Sequence, residues 1–497
     1  MDGILPIQFS KGDWRFLWKP NRNSSSSLNH QIINWITDQI KLGNWCVGTK
    51  LPAQRQLALQ FEVNRSTIQQ ALEELKADGI IEAKKGAGVF VANNSWNLLA
   101  KKQQPNWQKY IDESIHKPNY HTIQLINEYE QEDSIIRLGT GEISPNLLPS
   151  KELLESLQNL SLTGKDIGYS SPQGNKELRI AICQHVKKRG ITTTPDNILI
   201  VSGALQALQL MAVSLFETGS IVFQEPISYL NSIHPFQSYG IQMRSIKRDE
   251  SLSSTLHSLK KHRQTIYYTV PTLDNPTGNV WSTEEKKRFY EVCSSLQIPI
   301  IEDDVYADLV FETDSHSIKS FDSSGQVIYI SSVSKTLSPG LRIGWVIGPT
   351  PVIKRLADIK MQMDYGSSAI SQKIVTYWLT SGLYQKHLMD LKSQLKLRAS
   401  FMESTLSEYF HSIATWESSK GGFYIWLKYN NPIVTKKLFL KLLKRNVLIN
   451  PGYIYDMEDS THIRLSYAYA SLDELKNGLM ILYEESISAL KTAEFLK

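Results

Sequence analysis

The sequence predicts a two-part α/β chain: a small winged helix-turn-helix first, then a large domain built on a mostly parallel sheet. Three observations lead there. Residues 28–92 carry three helical apolar patterns followed by two short strands. From Ile135 onward, short apolar runs alternate with stretches of helical length, the pattern of a parallel sheet with helices on both faces. One run, Val327 to Ile347, sets Lys335 among hydroxyls and an arginine just beyond a strand.

The bulk numbers set the frame. A chain of 497 residues exceeds one ordinary domain and buries a large core. Its 41% hydrophobic and 21% charged residues are those of an ordinary soluble protein. A formal net charge of +5 says little about nucleic acid; the placement of the charges matters more. Cys46, Cys183 and Cys293 are far apart and form no CxxC pair, which points to a reducing cytoplasm and away from disulfides or zinc. No signal-peptide pattern, membrane span or histidine cluster with metal-ligand spacing is visible. The expectation is a cytoplasmic protein with no membrane partner and no metal.

Residues 1–27 are hard to place. Trp14, Phe16 and Trp18 alternate as in a strand, and Asn21 to Ser27 reads as a polar linker. The segment is an extension that can pack on its neighbour, and no function follows from it.

The first helix starts at Leu28, with Ile32, Ile33, Ile36 and Ile40 on one face and Gly43 to close it. Pro52 is placed to open a second, with Leu57, Ala58 and Phe61 inward. After the turn Glu62–Asn64 a third begins, capped by Asn64 or Ser66, with Ile68, Ala71, Leu72 and Leu75 inward and Gly79 ending it. Arg65, Ser66, Thr67, Gln69 and Gln70 remain near its start. Strands Ile80–Ala83 and Gly88–Val91 flank a tip holding Lys84, Lys85 and Gly86.

A recognition helix enters the major groove N-terminus first, so Arg, Thr and Gln suit base edges there. A glycine-rich tip with lysines suits phosphates, as does Arg55. A plain helical packing module is the competing reading. The run Gly-x-x-Leu-Pro-x-x-Arg, Val-Asn-Arg-Ser-Thr, Leu-x-x-Asp-Gly-Ile-Ile-Glu and Lys-Gly-Ala-Gly-Val-Phe-Val resembles the GntR-type DNA-binding domain. It departs at Gln54, where that family often has Ser. The resemblance implies a double-stranded DNA operator as partner, with Arg55, Arg65, Ser66, Thr67, Gln69, Lys84, Lys85 and Gly86 as candidate contacts. This domain is assigned 28–94.

Residues 95–132 are polar and read as a linker with some helix. The large domain, 133–497, divides into a large part at about 160–380 and a smaller α/β part at 381–497. Expected strands are 197–201, 220–224, 266–270, 299–302, 327–330 and 343–347, with the ligand at their carboxyl ends. Gly139-Thr-Gly141 lacks the third glycine and strand-turn-helix setting of a dinucleotide fingerprint, so a nicotinamide enzyme is not expected.

Each strand end carries chemistry. Lys335 is spaced to form a Schiff base with an aldehyde cofactor, and Ser332, Ser334 and Arg342 suit that cofactor's phosphate. Alone, Lys335 would read as a solvated surface lysine. The glycine turn Ser202-Gly203-Ala204-Leu205 opens a helix whose first amides can bind phosphate. Asn275 in the turn Asn-Pro-Thr-Gly and Asp303 stand at two further strand ends, with Asp304 as the alternative to Asp303 if the register slips by one. Arg464 lies in an apolar strand and needs an anionic partner, either a ligand or a structural salt bridge.

This pattern, from the lysine segment Tyr329–Trp345 outward, resembles fold-type I pyridoxal phosphate (PLP) enzymes, the aminotransferase superfamily. The resemblance implies that Tyr229 stacks on the cofactor ring, though a core tyrosine is the competing reading and the usual Glu-x-Pro-x-Tyr is altered to Glu225-Pro-Ile-Ser-Tyr229. It implies that the Asn275 amide serves the cofactor's phenolic oxygen and that Asp303 holds a proton on the pyridine nitrogen. It implies that Tyr306 pairs with Asp303 in Asp-x-x-Tyr and serves the phenolic oxygen. It gives Arg464 the α-carboxylate of an amino acid, and it sends Tyr169, in Gly168-Tyr169, to the phosphate of a partner subunit. Ala204 and Leu205 depart from the polar residues usual there, leaving backbone donors.

The order winged helix, linker, aminotransferase-like domain resembles the MocR family of bacterial regulators, which includes the GABA-responsive ones. That resemblance implies a PLP-dependent regulator, a head-to-tail homodimer, sensing an amino acid or amine through the Lys335 Schiff base. The alternatives are an active aminotransferase and a PLP-sensing regulator of vitamin B6 metabolism. The sequence names neither the effector nor the operator, nor the sign of regulation.

Overall fold

The computed structural model describes residues 18–24, 26–41, 44–84, 86–92, 110, 113–114, 119–164, 168–249, 251–259, 264–312 and 316–495. Trp14, Phe16, Gly43, Lys85 and most of residues 93–118 therefore lie outside the described residues. The chain divides into two compact units, Met1–Ser114 and Ile115–Lys497.

In the first unit, α1 (Leu28–Lys41), α2 (Gln54–Phe61) and α3 (Arg65–Ala77) bury the isoleucine, leucine and phenylalanine stripes expected from their spacing. Pro52 stands two residues before the first helical position, further out than expected: Ala53 is the N-cap of α2, and the Gln56 side chain reaches back to accept from the Ala53 amide at 3.2 Å. Asn64 takes the N-cap position of α3. β1 (Ile81–Lys84) and β2 (Gly88–Val91) pair antiparallel as the wing, with Lys84 opposite Gly88. Trp18 stacks on Trp35 at 5.3 Å and meets Phe61 edge-on, while Arg22 donates to the Glu62 carbonyl at 2.8 Å. The described part of the extension thus packs on the turn between α2 and α3.

The second unit includes part of the stretch expected to hold some helix between the domains. Helix His121–Tyr129, in the stretch read as linker, buries Ile123 and Ile126 in the main core. β3 (Ile136–Arg137) follows. The central sheet comprises β4 (Ile198–Val201), β5 (Ile221–Gln224), β6 (Gln242–Ser245), β7 (Thr265–Thr269), β8 (Ile300–Asp303), β9 (Val327–Ser332) and β10 (Gly344–Ile347). Their order is β4-β10-β9-β8-β7-β5-β6. β10 runs antiparallel to both neighbours, and the pairs among β5 to β9 are parallel. The six expected strands appear within a residue or two of their places. β6 was not expected: it is an edge strand with a largely exposed, polar sequence.

Both faces of the sheet are covered, so its strands are nearly continuous apolar runs. Leu199, Val201, Ile266, Ile301, Ile330 and Val346 meet helices Ala204–Ser214 and Thr350–Asp364. Ile198, Ile200, Tyr329 and Trp345 face the other way, toward Lys176–His185 and Ala369–Ser381. The smaller part holds β11 (Ala414–Thr415), β12 (Tyr424–Tyr429), β13 (Val447–Leu448), β14 (Asn450–Pro451) and β15 (His462–Ser466). Four of them form an antiparallel sheet in the order β11-β12-β15-β14, and β13 pairs with β3. Helices Leu383–Tyr409 and Leu472–Phe495 pack together in this part. Among the described residues no helix is long and apolar enough to cross a membrane.

Candidate cofactor chamber and DNA-binding face

The carboxyl ends of β4, β7, β8 and β9 open onto one cavity of about 390 Å3. It brings together Gly203, Ala204, Leu205, Tyr229, Asn275, Asp303, Tyr306, Ser332, Ser334, Lys335, Arg342 and Arg464, all singled out in the sequence. It does not include Tyr169, which is 88% exposed and sits 5.4 Å from the Tyr365 ring at a separate surface hollow.

Lys335 ends the short turn Val333–Lys335 after β9, and its Nζ donates to the Gly141 carbonyl at 2.6 Å. The Ser332 hydroxyl lies 2.8 Å from both the Ile343 carbonyl and Ser334 Oγ, and it accepts from the Ser334 amide at 3.1 Å. Ser332 thus braces the turn that aims Lys335.

Strand alternation decides between the two aspartates. Asp303, last in β8, points into the chamber, and Tyr268 of β7 donates to its Oδ2 at 2.9 Å. Asp304 turns the other way and accepts from buried Arg189 at 3.0 Å. Asp303 Oδ1 is buried with no partner in hydrogen-bonding geometry, although the Val305 amide stands close enough to favour the charged form. Burial pushes the Asp303 carboxyl up to about 6.

Gly203 N-caps helix Ala204–Ser214 at φ +100°. A Cβ there would lie 2.8 Å from Arg342 Nη2, so the glycine is what lets the guanidinium approach the helix start. Arg342 itself donates to the Ser202 carbonyl at 2.7 Å. Gly344 serves the same approach: its Cβ would meet the Ser331 carbonyl at 2.9 Å and Gly203 Cα at 3.1 Å.

Arg464 is 4% exposed. It donates to Asn275 Oδ1 at 2.7 Å and to the Gly139 carbonyl, with its guanidinium 4.1 Å from the Tyr424 ring centre. Burial opposes its charge, yet Tyr424, Tyr455, Tyr306 and the Glu130 carboxylate outweigh that, and its pKa is raised. No carboxylate of the described residues lies at ion-pair distance from it, so the structural salt bridge is absent and Nε is left without a partner. Tyr306 meets Tyr424 hydroxyl to hydroxyl at 2.9 Å, and burial holds its pKa well above the usual range. Burial likewise pushes Tyr229 up to about 12.

Two features fit the pyridoxal phosphate that the resemblance implies. Asp303 Oδ1 is a buried carboxylate oxygen with no partner, suited to a protonated ring nitrogen. The amides after Gly203, with Arg342 beside them, form a positive cradle that any Cβ would crowd. Sequence reasoning missed Tyr268, Tyr424, Tyr455, Gly141 and Glu130, which also line the chamber.

In the first unit, Arg65, Ser66 and Gln69 are exposed at the start of α3, and Thr67 is half-buried. Gln69 also bonds Glu73 at 2.9 Å. Arg55 is exposed on α2. Lys84 lies 3.2 Å from Glu82 and 5.1 Å from the Phe90 ring centre. Gly86 is exposed at the wing tip, while Lys85 lies outside the described residues. Exposed Lys50, bridged to Phe90 beside the wing, is a further cation that the sequence reading passed over.

The sequence pattern of the family described as "Aminotransferase class I and II" matches residues 133–482, and that of "Bacterial regulatory proteins, gntR family" matches residues 28–91. The chain is 45% identical to an uncharacterized HTH-type transcriptional regulator, YisV of Bacillus subtilis (strain 168), over 93% of this chain and 96% of the relative. It is 36% identical to the HTH-type transcriptional regulator NorG of Staphylococcus aureus (strain N315), over 87% of this chain and 98% of that one. Among solved structures it resembles a multiple substrate aminotransferase from Thermococcus profundus, with TM-score 0.72 and 24% identity, covering 78% of this chain and all of that one, 100%. A kynurenine aminotransferase from Pyrococcus horikoshii gives TM-score 0.70 and 28% identity over 75% of this chain and 95% of that one.

Proposed function

Because the chain belongs to the MocR family, in which a GntR-type winged helix-turn-helix is fused to an aminotransferase-like domain, we propose that its chamber holds pyridoxal phosphate and makes its DNA binding responsive to an amino acid or amine. The observation that carries this reading is the convergence of Lys335, Asp303, Arg464 and the Gly203–Arg342 cradle on one cavity.

Pyridoxal phosphate, when bound, supplies an aldehyde that condenses with primary amines and a ring that withdraws electrons. Lys335 Nζ is the amine this chain contributes. Asp303 Oδ1 keeps a proton on the ring nitrogen, and the first amides of helix Ala204–Ser214 with Arg342 take the phosphate. Asn275 and Tyr306 serve the phenolic oxygen, and Tyr229 packs on the ring. Arg464 takes the carboxylate of an amino acid, whose amine then competes with Lys335. The Tyr306–Tyr424 bond joins the large and small parts across the chamber, where a ligand would touch both. The DNA response follows only as far as the ligand prefers one pose of these parts. Exposed Tyr169 suits a homodimer in which it reaches the phosphate of a second copy.

The test is a visible absorption spectrum of the purified chain, with and without added pyridoxal phosphate, repeated with Lys335→Ala and followed by operator binding under an amino-acid panel. A cofactor band lost in the variant, together with a lasting shift by one amino acid that changes DNA affinity, supports the regulator. Conversion that a keto acid reverses marks an active aminotransferase. A DNA response to pyridoxal phosphate alone marks a cofactor sensor. No band under any condition overturns the assignment of the chamber.

A further inference from the structure

Three consecutive residues fasten three charged side chains around the chamber. The Gly139 carbonyl accepts from Arg464, Thr140 Oγ1 donates to Glu130 Oε1 at 2.8 Å, and the Gly141 carbonyl accepts from Lys335 at 2.6 Å. The order is cation, anion, cation, and all three line one cavity. The proposed function uses the two cations for a ligand's carboxylate and amine and leaves the anion without a task.

Glu130 has no ion-pair partner among the described residues, and Thr140 is the donor the structure gives it. Ile123, Ile126 and Asn127 of the preceding helix line the same wall. Burial raises the Glu130 pKa more than the charges of Arg464 and Arg137, both beyond ion-pair distance, lower it. A carboxylate so placed gains from a cation in direct contact. Glu142 lines the same wall and adds a second negative charge, which would repel an acidic ligand tail.

We propose that Glu130 selects the ligand of this chamber, pairing with a second ammonium group, so that the effector class is a diamino acid with a basic side chain. This rests on the reading of the chamber as an amino-acid site. Arg464 takes the α-carboxylate, the α-amine meets the place of Lys335, and the side-chain ammonium gives Glu130 the ion pair that no described residue makes with it. A neutral side chain of equal length fills the apolar wall but leaves the carboxylate unpaired. An acidic one meets Glu130 and Glu142 together.

The experiment measures thermal shifts of the full chain, with and without pyridoxal phosphate, titrated with lysine, ornithine, norleucine and glutamate, alongside the visible spectrum. The diamino acids are expected to act at about tenfold lower concentration than norleucine, the size of one good charge-assisted bond. Glutamate is expected to be weaker still. Glu130→Gln keeps an acceptor for Thr140 and removes the charge. It should bring lysine and ornithine down to the level of norleucine without moving the cofactor band. Equal responses to lysine and norleucine in the parent chain overturn the proposal. So does a Glu130→Gln chain that binds all carboxylate ligands more tightly alike, since Glu130 would then be only the counter-charge of Arg464. A missing cofactor band with the diamino preference intact overturns the cofactor assignment and leaves the role of Glu130 standing.

Discussion

Tyr268 on β7 donates its hydroxyl to Asp303 on the adjacent β8 at 2.9 Å, and that bond fixes which carboxylate oxygen is left for the chamber. Oδ2 is occupied, Oδ1 is free, and the aspartate cannot swing without losing its donor. Tyr268→Phe should therefore weaken pyridoxal phosphate retention about tenfold, the loss expected for a buried bond to a charged group. Equilibrium titration of the visible band measures it. Unchanged retention would mean that packing alone positions Asp303.

Burial raises the Asp303 carboxyl from 3.8 to about 6, so between those values the folded chain binds more protons than the unfolded one. Stability from the neutral carboxyl is complete below the unfolded value and is lost as pH rises through about 6. In cofactor-stripped protein, Asp303→Asn should match the parent near pH ~4 and be more stable above neutrality, by at most about 3 kcal/mol. Denaturant unfolding across pH checks this. An advantage that grows toward acid instead would have the sign reversed.

Gly203→Ala places a Cβ at φ +100° and 2.8 Å from Arg342 Nη2. It should cost about 1–2 kcal/mol in thermal unfolding and reduce pyridoxal phosphate binding, because the strain falls on the phosphate cradle. Gly340→Ala, whose Cβ would have only Ser338 Oγ nearby at 3.6 Å, is the matched control and should be nearly silent.

On the DNA-binding unit, Arg65→Ala should lower operator affinity and shift the slope of log affinity against log salt by about one unit if it contacts a phosphate. Lys50→Ala beside the wing should do likewise. Fluorescence anisotropy at several salt concentrations separates phosphate contacts from base contacts, since the latter alter sequence preference at a constant slope.

Trp18→Ala removes the ring stacked on Trp35 and edge-on to Phe61. Loss of such a partly buried aromatic should destabilise the winged helix by about 1–3 kcal/mol. Hydrogen exchange of α1 and α2 in the full chain reads it, and unchanged protection would mean that the extension is not part of the unit's fold.

Most strands were legible because apolar runs buried on both faces stand out between helical stretches. β6 was not, because an exposed edge strand with the sequence Gln-Met-Arg-Ser has no apolar pattern to show. The strand-end residues were legible because a polar group after an apolar run is conspicuous: Asn275, Asp303 and Lys335 all converge on the cavity. Tyr268 was hidden because a tyrosine inside an apolar strand reads as core, and its bond to Asp303 spans 35 residues. Glu130 was hidden because it follows a short helix in a polar stretch that resembles linker. The use of the Gly139-Thr-Gly141 run as a backbone acceptor for Arg464 and Lys335 leaves no trace in residue type.

Asp303 and Asp304 are neighbours with opposite duties, one turned to the chamber and one to buried Arg189. A one-residue slip of β8 against β9 in one direction would set Val305 opposite Arg189 and leave that guanidinium without its carboxylate. A slip in the other direction would set Ile301 in the place of Glu302 and leave the Ile318 and Lys319 amides without their acceptor. Either misthreaded chain would carry uncompensated buried polar groups, each costing on the order of 1–3 kcal/mol. Folding thereby proofreads the chamber: the register that keeps the interior charge-matched is the one that builds the site, and a chain that passes the first check has passed the second.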